Sequence, residues 1–81
     1  MLTPNDYARL SRALAELRPD ELYREGLGRR ITVRVVRAGT AWPVAMLIWA
    51  RVETQGGDSK QRFCESAEEL RGWMYGEGLF L

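Results

Sequence analysis

The 81-residue sequence has no histidine and a single cysteine, Cys64. Without histidine the chain lacks the commonest general base near neutral pH and the commonest metal ligand, and its scattered carboxylates show no ligand spacing. Neither catalysis nor a cofactor is expected. One cysteine cannot close an intrachain disulfide, which fits a reducing cytosol better than a stapled secreted scaffold. Strong charge of one sign is also missing: 12 basic residues against 11 acidic leave a formal +1. The chain as a whole therefore has no strong pull toward phosphate backbones or anionic lipid, and any basic patch must be local. The longest apolar run, 41–50, is only ten residues and is interrupted by Pro43, whereas a membrane-spanning helix needs about 20. No basic, apolar and small-residue series resembling a secretory signal opens the chain. These absences predict a cytoplasmic protein with no membrane partner. A phage or plasmid gene expressed in a bacterial cytoplasm would look the same.

What is present is ordinary for a globular protein: 46% hydrophobic and 28% charged residues, too apolar for intrinsic disorder. A chain this short builds one core and buries roughly 60 to 65% of the surface its unfolded form exposes. Residues 1–81 are read as a single domain, with no internal repeat, low-complexity run or linker.

Thr3, Pro4 and Asp6 form a helix start: a capping hydroxyl, proline at the first helical position and an acid in the first turn. Tyr7, Leu10, Leu14 and Leu17 recur at helical spacing, with Ala13 beside them, predicting an amphipathic helix of about four turns. Pro19 breaks it, and Asp20 to Tyr23 add a further helical turn that ends at Gly26 and Gly28. From Arg30 to Ala38 the pattern alternates, with Ile31, Val33 and Val35 against Thr32, Arg34 and Val36. A second strand over Pro43 to Glu53 sorts Val44, Met46, Ile48, Ala50 and Val52 from Ala45, Leu47, Trp49, Arg51 and Glu53. Both sets begin apolar, as in a central strand partly covered on both sides. Gln55 to Asp58 make a hairpin loop, and Lys60 to Cys64 return as a short strand. Ser66 with Glu69 reads as a capping box for a last helix, whose stripe is Ala67, Leu70, Trp73 and Met74 and whose end is Gly76. The apolar tail Leu79-Phe80-Leu81 is expected to pack on the core or on a neighbour. The predicted fold is α+β: an N-terminal helix, a three-stranded antiparallel β-meander and a C-terminal helix packed on the sheet.

Two helices on one side of such a sheet leave Arg34, Leu47, Trp49, Arg51 and Glu53 facing outward as a candidate partner-binding site. An apolar patch there needs a cover, and tryptophan and arginine are common binding anchors. Two bland alternatives stand beside this one: the N-terminal helix crosses that face and makes Trp49 core, or a homodimer buries the patch against itself. Arg29, Arg30, Arg34, Arg37, Arg51, Arg62 and Lys60 cluster in the sheet region and, interleaved with Trp42 and Trp49, suit contact with phosphates and stacking on bases. The competing reading is a normal solvated strand face. Ser66, Cys64 and Glu53 make no catalytic set, because nothing activates either nucleophile and Ser66 is explained as a cap. The glycines at 26 to 28 and 56 to 57 are turns rather than a phosphate cradle.

The run Glu65-Ser66-Ala67-Glu68-Glu69-Leu70-Arg71-Gly72-Trp73-Met74-Tyr75-Gly76, preceded by Ala50-Arg51-Val52-Glu53 and a glycine-containing hairpin, resembles the small phage anti-CRISPR proteins that inhibit type I surveillance complexes, most closely the type I-F group. The resemblance covers about residues 50–76. It implies stoichiometric binding to a Cas subunit through the sheet face, so that target DNA cannot pair with the guide. It also implies that Glu53 sits at a family position contacting the complex, with Trp42 or Trp49 standing in for tyrosines on earlier strands. The alternative, from a different class, is the small DNA-binding domain of a mobile element, which lays a three-stranded sheet in the major groove. Arg34, Arg51, Lys60 and Arg62 would then touch phosphates and bases. The expected partner is a Cas protein, with nucleic acid second, and the chain acts as a monomer or homodimer.

Overall fold

The computed structural model describes residues 1–79. Its order is α1 (Pro4–Ala15), β1 (Asp20–Gly26), β2 (Arg29–Arg37), β3 (Met46–Thr54), β4 (Ser59–Cys64) and α2 (Ala67–Gly76). The strands form one antiparallel sheet in the order β1-β2-β3-β4, and both helices pack on the same side of it. The class is α+β as expected, but the sheet has four strands where three were expected.

The extra strand is β1. Asp20 to Tyr23 do not continue helically; they pair with β2 from Asp20↔Val35 to Gly26↔Arg29. A two-residue turn at Leu27-Gly28, with φ of 53° and 71°, joins the two strands. Positive φ at both central positions is the backbone twist that matches paired strands. The glycines expected to stop a helix belong to this hairpin instead. Leu22 alone enters the core from β1, so the strand carries too little apolar alternation to announce itself.

Helix α1 begins as the sequence predicts. The Thr3 hydroxyl accepts from the Asp6 N–H, and the Asp6 carboxylate accepts from the Thr3 N–H, so two otherwise orphaned donors are satisfied reciprocally. It ends earlier than expected, at Ala15. Arg18 N–H donates to Ala13 O and Leu17 N–H to Leu14 O, with Leu17 at φ 53°, which is a left-handed helix stop upstream of Pro19. Helix α2 ends by the same device: Leu79 N–H donates to Met74 O and Gly78 N–H to Tyr75 O, with Gly78 at φ 77°. The left-handed residue is therefore Gly78, two positions beyond the glycine expected to terminate the helix. At its start the Ser66 hydroxyl accepts from Glu69 N–H, but the Glu69 carboxylate reaches Glu65 N–H rather than that of Ser66. The expected reciprocal box is opened by one residue.

Leu10 and Ala13 of α1, with Ala67, Leu70 and Met74 of α2, cover Leu22, Ile31, Val33, Val35, Ile48, Ala50 and Val52. These strand residues lie on one face because side chains alternate and the register pairs like with like. The other face of β3 has no helix over it, contrary to the expectation of a strand covered on both sides. β3 also starts at Met46 rather than Pro43, because residues 38–45 form the connection from β2. Leu79 is buried as expected of the tail; Phe80 and Leu81 lie outside the described residues. No helix among the described residues is long and apolar enough to cross a membrane.

Candidate partner-binding face

The register builds the uncovered face in rows across the sheet. Glu21, Arg34, Trp49 and Phe63 are successive cross-strand neighbours from β1 to β4. Beside them run Tyr23, Thr32, Arg51 and Gln61, then Glu25, Arg30, Glu53 and Ser59; Val36 and Leu47 extend the face at the opposite end. All five expected site residues, Arg34, Leu47, Trp49, Arg51 and Glu53, share this face. Of the three fates considered for Trp49, burial beneath α1 is excluded, since α1 lies on the other side.

The chemistry of the face is graded. Toward the β2–β3 connection it is apolar, with Val36, Leu47, Trp49 and Phe63 adjacent, Phe63 being 60% exposed. Trp49 and Phe63 stand directly opposite in a pair whose backbones do not bond each other, the closer-spaced kind. The Arg34 guanidinium lies 5.4 Å from the centre of the Trp49 ring, a cation–π distance. Beside the Trp49 row and on toward the two hairpin tips the face is charged, yet it neutralises itself. Arg34 pairs with Glu21 at 3.3 Å, Arg51 with Glu53 at 3.2 Å and Arg30 with Glu25 at 3.8 Å. The Tyr23 hydroxyl donates to Glu25 at 2.7 Å, which, with lesser contributions from desolvation and nearby carboxylates, raises the phenol above its ordinary pKa. Glu25, Arg30 and Glu53 also border an open polar cleft of about 640 Å³ between the tips.

The basic cluster expected from sequence is divided by the sheet. Arg30, Arg34 and Arg51 are on the uncovered face, whereas Lys60 and Arg62 turn toward the helices and pair with Glu77 and Glu69, each at 3.1 Å. Arg29 donates to the carbonyl of Glu77. Trp42, 86% exposed, projects from the 38–45 connection and is not a strand residue. Sequence reasoning missed Glu21, Tyr23 and Phe63. The first two were hidden with β1 itself, and Phe63 showed only as the partner parity of Trp49 across the hairpin.

Cys64 is buried, and burial together with nearby Glu69 pushes its thiol up, away from thiolate character. Among the described residues no three His, Cys, Asp or Glu side chains gather as a metal-ligand set. No protein-family model, no curated protein and no solved structure matches this chain.

Proposed function

We propose that this chain is a non-enzymatic binding protein that docks on another protein through the uncovered sheet face. The observation that carries the reading is the Trp49–Phe63 pair on the uncovered face, a half-buried tryptophan beside an exposed phenylalanine, flanked by arginines that already have glutamate partners. An apolar patch bordered by self-neutralised ion pairs has the chemistry of a protein interface. A surface for phosphates would leave its cations available, and the pairing of Arg30, Arg34 and Arg51 weighs against the DNA alternative. The specific form we favour is anti-CRISPR-like: occupation of a Cas subunit of a type I surveillance complex so that target DNA is not bound. Its support is the resemblance over residues 50–76, with Glu53 and Trp49 at the centre of the contact.

The test is recovery of the tagged protein from a bacterium carrying type I CRISPR systems, with nuclease treatment before identification of bound proteins. Copurifying Cas subunits are expected, and binding should be lost in the double variant Trp49→Ala, Glu53→Arg while its circular dichroism is retained. Loss of every partner on nuclease treatment, with affinity that falls steeply as salt rises, would instead select the DNA alternative.

A further inference from the structure

The two edges of the sheet are finished differently. The Thr54 N–H to Asp58 O bond of 2.8 Å sets the phase of the β3–β4 ladder. Bonded pairs recur at every second residue, so Lys60, Arg62 and Cys64 bond inward to β3. Ser59, Gln61 and Phe63 consequently direct their backbone N–H and C=O groups outward. On β1 the outward carbonyls of Glu21 and Tyr23 are occupied: Arg9 donates to Glu21 O at 3.4 Å and Arg24 to Tyr23 O at 2.8 Å. On β4, among the described residues, no side chain reaches the outward groups. A lysine or arginine commonly guards such an edge, but Lys60 and Arg62 are drawn back onto Glu77 and Glu69 of the helix side. β4 has neither proline nor bulge.

We propose that the β4 edge is a dimerisation site for a second copy of this chain, giving a continuous eight-stranded antiparallel sheet. The occupant follows from self-complementarity. An antiparallel twofold centred on Gln61 sets Gln61 opposite the partner's Gln61 and Ser59 opposite the partner's Phe63. That register meets a single parity condition, which has two consequences. Residues opposite each other belong to the same face of the sheet, and every outward N–H of Ser59, Gln61 and Phe63 meets an outward C=O. On the helix side Lys60 stands opposite the partner's Arg62, and the glutamates already holding them remove the like-charge repulsion that would otherwise oppose pairing. Both uncovered faces then look the same way, placing two Trp49–Phe63 patches on one surface. The inference stands without the docking reading, since edge pairing uses backbone groups and leaves those side chains uncovered.

Sedimentation of the full chain from micromolar to hundreds of micromolar tests it, with three variants at the axis. Gln61→Pro deletes an N–H that β3 does not use, removing both hydrogen bonds at the axis, and should raise the dimer Kd at least about ten-fold. Gln61→Glu, which keeps the backbone intact should the proline variant misfold, sets like charges opposite and should raise it about two- to five-fold. Gln61→Cys should give a disulfide-linked dimer on mild oxidation, because Cα atoms of a bonded antiparallel pair are about 5.5 Å apart. Ser11→Cys, exposed on α1, should not. A wild-type chain that stays monomeric throughout overturns the proposal. So does a dimer undiminished in Gln61→Glu and not cross-linked through Gln61→Cys.

Discussion

The two faces of this sheet are made by the same strands and differ only in which alternate residues they receive. On β2 and β3 the helix-covered face takes Ile31, Val33, Val35, Ile48, Ala50 and Val52, all buried. The uncovered face takes Thr32, Arg34, Val36, Leu47, Trp49 and Arg51, none of them buried. The covered face is where apolar area leaves water, so it carries the fold's stability. The aromatic residues of the other face remain partly wetted and contribute little to folding. On the docking proposal they are there for a partner rather than for the core, a difference that mutations can magnify or erase.

The largest effect is expected from Ile31→Ala. It opens a cavity at a site with no solvent exposure and should cost about 2 to 5 kcal/mol, read as a shift in the urea midpoint. For a domain this small that is a large share of total stability.

Asp6→Asn should cost about 1 to 2 kcal/mol, because one amide oxygen cannot serve both the Thr3 N–H and Arg24, 3.0 Å away, as the carboxylate does. Burial pushes the Asp6 carboxyl up, but the Thr3 N–H and Arg24 outweigh it and hold the group below its ordinary value of 3.8. Asp20 is also held low, by its hydrogen bond to Arg9 against the opposing effect of burial. A carboxylate depressed in the folded state contributes stability that is complete above its ordinary pKa and lost as pH falls through the depressed one. Stability should therefore be flat above about pH 5 and decline below about pH 4. Acid titration of Asp6→Asn should show a shallower decline.

Leu17→Gly should stabilise by about 1 kcal/mol in the same denaturation assay, because a leucine holds at the end of α1 the left-handed conformation that Gly78 holds at the end of α2. Phe63→Thr should have the smallest effect on folding, about 0.5 kcal/mol or less, since threonine keeps strand propensity and little buried area is lost. It should nonetheless weaken partner binding measurably by calorimetry. A stability loss comparable to that of Ile31→Ala would erase the distinction between the faces.

Much of the site was legible because strand periodicity is strict. Once Ile31, Val33 and Val35 were placed inward, Arg34 had to point outward, and the same holds for Trp49, Arg51 and Glu53 across β3. The cap residues Thr3 and Ser66 were legible for a similarly local reason, as each acts within three residues of itself. The segment from Asp20 to Gly26 was not. Its acids and lone buried leucine have weak strand preference, and only pairing with β2 commits it. The division of the arginines was also hidden, since the ion pairs from Arg34 to Glu21 and from Arg62 to Glu69 join separate elements.

The sequence by itself determined which residues share a face, where the helices begin and that the chain carries little net charge, because these follow from local geometry and composition. Tertiary structure alone decided that both helices cover the same face, that β1 exists and that arginines clustered in sequence are parted and neutralised. Each of those outcomes depends on contacts between segments far apart in the chain, and no local spacing encodes them.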